Sequence, residues 1–559
     1  MFNGQKTEKG GKQEQVEILQ SRDYMDAVIS QVLLDTGQWT VDDSGIRRTS
    51  SRGRVDIACP HQIVPIERLV DVETGEEFVK LAYKRRGREW QTIIAGRKDV
   101  ASSRAIVALA SSGIAVTSNN ASALVDYLND IQEIHYASIK ESLCVDHLGY
   151  IAGIGFVPYV DNIVYSGDPS FDKLYRSISS SGQSETWRRI AMECREMSTE
   201  AKIILASSFA SPLISIVGAL PFYTHLWGVD SGTGKSVALM LAASVWADPE
   251  IGTYIQTHNG TQVGQERTAA YLNHLPLCID ELQLANTGRG SAGIDVYQLA
   301  QGVGRSRGKK GGGIDKLETW RLCIISTGET PIVSGSAGAG AVNRVIEIET
   351  QPGRYVIADG HRIADGLRHH YGYAGKDFVS RLFSAQTLKE DIICQYINNL
   401  NLMMDQNVTD KQAMASAVLL TADQLVTEWI FKDQNALTIA EIVPYLATKE
   451  TVSTGKRAYD WLCGWITANI SHFCGKGQLA KGRTYGAIDG NVIYIIRHIY
   501  NEALQNAGYS PKATLSYLRA NELIIVRDNK GYTRSKRISG IPTDCVCMIY
   551  ANENDEGLR

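Results

Sequence analysis

The sequence predicts a multidomain α/β protein. A P-loop core on a parallel sheet covered by helices is preceded by an α+β region and followed by a winged-helix-like segment. Three observations predict this. Between Tyr223 and Leu241 a β-prone run, a Gly-rich turn and an Ala- and Leu-rich helix follow one another. From there to Glu349 extended and helical runs alternate, as parallel sheets with helical crossovers require. Beyond about residue 440 the text changes to helices that end in a β-hairpin. At 559 residues the chain has room for three or four domains.

Taken in order, residues 1–17 are polar and read as disordered, without the apolar core of a signal peptide. Residues 18–183 read as an α+β domain. Its clearest feature is a meander: His61 to Val72, a Glu73-Thr74-Gly75 turn, Glu77 to Lys84, a basic turn, and Glu89 to Ala95. The basic turn (Lys84, Arg85, Arg86, Arg88) could touch a phosphate backbone, but a solvated hairpin tip is the favoured reading. Ala121 to Leu128 reads as helix and Ile163 to Tyr165 as strand.

Residues 184–439 form the predicted ATPase domain, opening on a helix at Ser184 to Met197. The apolar run Ile203 to Leu220 contains four Ser and Pro212, so a buried helix fits it better than a membrane span. Strands follow at Tyr223 to Val229, Gly252 to Thr257, Leu275 to Asp280, Trp320 to Thr327 and Arg344 to Glu349. Helices are expected at Gln262 to Asn273 and near Ile294 to Ala300. Met414, Val418, Leu425 and Trp429 mark one face of a long lid helix. Residues 440–559 read as the winged-helix-like domain: helices at Arg457 to Ile470, Val492 to Ala507 and Lys512 to Ala520, then strands Glu522 to Val526 and Cys545 to Tyr550 around a basic wing.

The chemistry centres on the turn. Asp230, Ser231, Gly232, Thr233, Gly234, Lys235, Ser236 and Val237 make a phosphate cradle whose N–H groups and helix N-terminus face an anion. Lys235 would reach the β- and γ-phosphates of ATP, and the Ser236 hydroxyl would hold Mg²⁺. Val229 stands at the first Gly position of the P-loop pattern, with Gly228 one residue early. Asp280, ending an apolar strand, would share the Mg²⁺ shell, and Glu281 would polarise the attacking water. Ser326 and Thr327 end the strand expected between those two, and a one-residue register decides which of them faces the nucleotide. Arg344, opening the next strand, reads as an arginine finger for a neighbouring subunit.

Between the acidic strand and Trp320 lies a Gly-rich run with four cations, Arg305, Arg307, Lys309 and Lys310. It cannot pack a core, and a β-hairpin or flexible tip projecting from the sheet, placed at a ring's central channel where it would grip DNA, is its expected form. The net charge of −4 confines any nucleic-acid surface to such local patches. Ten cysteines without a C-x-x-C pair argue against zinc and for reduced thiols in a cytoplasm.

With these words in hand (HLWGVDSGTGKS, LPLCIDE, QGVGRSRG, ISTGE and NRVIEI), the chain resembles the MCM-like AAA+ replicative helicases of staphylococcal cassette chromosome (SCC) elements over roughly residues 60–430. The resemblance implies a homo-hexameric, Mg-ATP-driven ring that translocates on single-stranded DNA and unwinds forked duplex. It further implies a pore hairpin, a C-terminal winged helix, other replication proteins of the mobile element as partners, and no membrane. Lys411 stands where such a family carries a sensor-2 Arg. Two other readings compete: a helicase loader or transposition-type ATPase that remodels protein on DNA, and an ATP-switched DNA-binding regulator.

Overall fold

The computed structural model describes residues 35–85, 88–257, 261–280, 296–306, 308, 317–333, 339–384, 386–475, 480–526 and 531–549. They fall into two compact units, Met1–Asp172 and Lys173–Arg559.

The first unit is α+β. A mixed five-stranded sheet runs in the order Ile163–Tyr165, Lys140–Val145, Gln62–Asp71, Glu77–Lys84, Gln91–Gly96. The last three strands form the antiparallel meander. Its first turn is fixed by Asp71, whose Oδ1 accepts from Thr74 N at 2.8 Å and Thr74 Oγ1 at 2.7 Å, the Asx-turn device that competes with further strand. Helix Ala121–Ile134 sinks Leu124, Tyr127, Leu128 and Ile131 into the core. There the Tyr127 hydroxyl donates to Ile63 O at 2.8 Å. A separate three-stranded antiparallel sheet, Thr40–Asp42, Gly45–Thr49 and Val55–Cys59, stands beside it in sequence.

The second unit holds a five-stranded, all-parallel sheet. Its order is Gln256–Thr257, Leu277–Asp280, Cys323–Gly328, Phe222–Trp227, Val345–Glu349. The strand carrying Ser326 and Thr327 therefore lies between the Asp280 strand and the strand Phe222–Trp227 that leads into the Gly-rich turn. Thr199–Ile216 is a helix buried along most of its length, started by Ser198 Oγ accepting from Ala201 N at 3.0 Å. No helix among the described residues is long and apolar enough to cross a membrane. The helix Asp410–Val426, expected as an amphipathic lid, is buried on nearly every side rather than along one stripe. Its polar side chains are consumed internally: Asn399 of the preceding helix donates to Thr421 Oγ1 at 2.9 Å.

A buried ion pair ties this helix to the helix Ser184–Met197. Arg195 and Asp423 both have side chains at 0% exposure. Arg195 also donates to Thr427 Oγ1 at 2.8 Å and to Asn435 O at 2.6 Å, and Leu437 N donates to Asp423 at 2.6 Å. Removing one partner strands the other charge, which costs about 3–5 kcal/mol, whereas replacing both by apolar groups is close to neutral. Asp423→Asn should accordingly lower the urea midpoint of this unit sharply. The double variant Arg195→Met/Asp423→Leu should recover most of that loss.

The C-terminal part differs from expectation in detail. Val492–Ile496 is a strand, and the helix starts only at Arg497. A strand at Gly486–Asp489 precedes it, joined by a tight turn at Gly490. Glu522 to Val526 contributes only an isolated bridge, Ile524 to Met548. The final hairpin instead pairs Arg534–Ile538 with Ile541–Ile549 through Ser539-Gly540, both at positive φ. The helices Thr454–Ala468, Arg497–Asn506 and Pro511–Ala520 share one apolar core with this sheet.

Candidate nucleotide-binding site

The phosphate-loop strand Phe222–Trp227 is central, hydrogen-bonded on both sides, so its end is held rigidly. The chain then turns through Gly228–Gly234 into the helix Lys235–Ser244. Gly234 has φ +92°, and a Cβ there would lie 2.6 Å from Ile357 O. A Cβ on Gly228 would meet Thr350 Oγ1 at 1.9 Å. The Gly228 clash explains the displaced first glycine: Gly228 is the residue against which Thr350 packs, while the Val229 side chain is 74% exposed and costs nothing sterically.

The segment after the last strand clamps the loop from outside. Thr233 O accepts from Val356 N at 2.8 Å, and Asp230 Oδ2 accepts from Gly353 N at 3.2 Å. Lys235 Nζ donates to the carbonyls of Gly228 at 2.9 Å and Asp230 at 2.6 Å. Burial pulls the Lys235 pKa down, and the charges of Glu329, Asp230 and Asp280 oppose that shift. Ser231, Gly232 and Ser236 are exposed, and Val237 is half-buried.

Two strands and a helix bring four side chains together. Asp280, 3% exposed, accepts through Oδ1 from Thr327 Oγ1 and, at 3.3 Å, from Ser236 Oγ. Thr327 therefore shares the face of Lys235, Ser236 and Asp280. Ser326 points the other way, bonded at 2.8 Å to Nδ1 of the fully buried His225. Serine hydroxyl and carboxylate oxygens are the hard donors that Mg²⁺ takes. Glu281 lies outside the described residues.

Arg344 is not part of this cluster. It precedes strand Val345–Glu349, whose first residue pairs with Tyr223 and whose last pairs with Trp227, so it sits at the opposite end of the sheet from the loop. At ~3.3 Å per residue that is roughly 20 Å away. It is 9% exposed, and its Nη1 donates to Gly340 O at 2.7 Å.

The basic run begins as a hairpin base. Val303 bridges Thr319, Gly304 N donates to Glu318 O at 2.8 Å, and Trp320 N donates to Gly302 O at 3.1 Å. Arg305 Nε donates to Gln298 Oε1 at 3.0 Å. Arg307, Lys309 and Lys310 lie outside the described residues.

Two residues next to the site escaped the sequence reading. His225 reads there as one more residue of a strand, and only its pairing with Ser326 across the sheet reveals it. Glu329 follows the strand end, and nothing local in the sequence ties it to Lys235.

Residues 39–320, half of the chain, match the model of the family described as domain of unknown function (DUF927). Residues 453–553 match that of the Cch helix turn helix domain. No curated protein matches. Among solved structures, one titled "SCCmec type IV Cch - active helicase" aligns with a TM-score of 0.65 at 17% identity, over 93% of this chain and 98% of that one. At that identity the likeness is one of fold. A structure titled as the apo form of the NrS-1 C terminal region aligns at 12% identity over 69% of this chain and 90% of that one, but its TM-score of 0.26 carries no argument.

Proposed function

The chain belongs to the family described as domain of unknown function DUF927, and on that premise we propose that it is an ATP-hydrolysing DNA helicase of the MCM-like AAA+ kind. The observation that carries this reading is the convergence of Lys235, Ser236, Asp280 and Thr327 at the loop end of a parallel sheet. The fold likeness to a structure titled an active helicase supports it.

In this reading the loop N–H groups and the helix N-terminus receive the phosphates. Lys235 trades the Gly228 and Asp230 carbonyls for β- and γ-phosphate oxygens. Ser236 and Asp280 would hold Mg²⁺, which neutralises charge on the phosphates. Thr327 orients Asp280, and Glu281 polarises the attacking water. Arg344 serves a neighbouring subunit of a ring, its place at the far end of the sheet suiting action on another chain's nucleotide. Arg305, Arg307, Lys309 and Lys310 grip single-stranded DNA from the hairpin that starts at Gly302. The helix-turn-helix match at residues 453–553 supports a second DNA contact, as a winged helix.

A strand-displacement assay on a forked duplex tests the reading. The full chain with Mg-ATP should release the displaced strand, and without ATP it should not. Hydrolysis stimulated by DNA with no strand release would instead favour the remodelling or loading alternative.

A further inference from the structure

The turn that follows the Thr327 strand is pinned on both sides. Gly228 N donates to Gly328 O at 3.3 Å, which ties the strand end to the phosphate loop itself. His225 spans the turn from the neighbouring strand, with Nδ1 at 2.8 Å from Ser326 Oγ and Nε2 at 3.0 Å from Thr330 O. A carbonyl only accepts, so Nε2 carries the proton and Nδ1 accepts from the serine hydroxyl. Burial pushes the His225 pKa down to about 4, so this clamp stays neutral and intact at physiological pH.

Glu329 lies between the pinned residues. Its side chain is exposed, and among the described residues its carboxylate makes no hydrogen bond or ion pair. Its charge nevertheless acts on Lys235, ahead of the charges of Asp230 and Asp280. The backbone thus places Glu329 one residue from the Gly328–Gly228 contact, and Gly228 O in turn holds Lys235 Nζ at 2.9 Å.

We propose that Glu329 is a charge sensor for the terminal phosphate, a carboxylate held beside Lys235 that disfavours a nucleoside triphosphate relative to the diphosphate. This rests on the nucleotide-site reading above. When Lys235 turns to the phosphates, the outermost and most negative group comes under the field of Glu329. A diphosphate ends one group short of it. Like charges brought near one another at a partly wet site repel enough to change affinity by about tenfold. Hydrolysis followed by phosphate departure relieves that repulsion, which biases the site toward its diphosphate state and gives the cycle a direction. A carboxylate that merely solvates the surface would treat both nucleotides alike.

The test is equilibrium binding of Mg-ADP and of a non-hydrolysable Mg-ATP analogue to the full chain and its variants. Glu329→Gln should bind the analogue about tenfold more tightly while its ADP affinity stays within about twofold. Glu329→Asp, which keeps the charge, should hold the wild-type preference. Raising salt should shrink the difference between wild type and Glu329→Gln. An unchanged analogue-to-ADP ratio in Glu329→Gln, or weaker analogue binding, overturns the sensor and leaves the nucleotide site standing. A wild-type chain that binds neither nucleotide overturns both.

Discussion

Lys235→Ala should abolish nucleotide binding at micromolar protein and bring hydrolysis to background. The ammonium stands at the opening of the loop, 2.6 and 2.9 Å from two loop carbonyls that hold it near its working position. Each hydrogen bond to a charged group contributes ~1.5–3 kcal/mol. Losing two such bonds to phosphate oxygens weakens binding by roughly two or more orders of magnitude. Asp280→Asn should behave differently. The cradle and Lys235 remain, so nucleotide still binds, but the carboxylate that gathers Ser236 and Thr327 loses its charge. Hydrolysis should fall by roughly two orders of magnitude, since positioning and charge carry phosphoryl transfer. Glu281→Gln should likewise retain ATP while turnover falls comparably. Equilibrium binding and phosphate release, measured side by side, separate the three. Hydrolysis near the wild-type rate in Lys235→Ala would place the nucleotide elsewhere.

What the sequence disclosed about this site is what local chemistry encodes. Gly232, Gly234, Lys235 and Ser236 fall within five residues between a strand and a helix, so motif and structure occupy one short segment. The choice between Ser326 and Thr327 was not legible, because strand side chains alternate and a one-residue slip exchanges them. The pairing of His225 with Ser326 turns Thr327 toward Asp280, and that contact joins residues 101 apart in the chain. Gly228 and Val229 show the same limit: only the packing of Thr350 against Gly228 explains which position tolerates a side chain. In the C-terminal region, Val492–Ile496 precedes a helix without a Gly or Pro between them, so a helical period extended backwards conceals the strand. The buried surround of the Asp410–Val426 helix was hidden for a related reason. Its polar residues spell a solvent face, yet Thr421 and Asp423 find partners on Asn399, Arg195 and Leu437.

Arg344→Ala should lower turnover by ~10³-fold or more while leaving nucleotide affinity nearly unchanged, as loss of an arginine finger does. The geometry makes this a demanding expectation. Arg344 is 9% exposed and donates to Gly340 O of its own chain at 2.7 Å. It lies at the opposite end of the sheet from the loop that it would serve in cis. To act, it must exchange that carbonyl for a phosphate on a neighbouring subunit. Exchanging a neutral carbonyl for a phosphate oxygen turns an ion–dipole hydrogen bond into one between opposite charges, so the exchange is favourable where a triphosphate is presented. A purely structural Arg344 predicts something else: lower stability, turnover lost in proportion to unfolded chain, and no rescue. Mixing distinguishes the two. Arg344→Ala chains keep an intact Lys235, and Lys235→Ala chains keep an intact Arg344, so a mixed ring contains interfaces with one of each. Turnover should reappear in the mixture although neither variant hydrolyses alone, and it should peak near equal proportions. If the mixture stays silent, or if wild-type turnover per chain is unchanged on dilution to a monomer, Arg344 serves only its own chain and the ring it implies is not needed for hydrolysis.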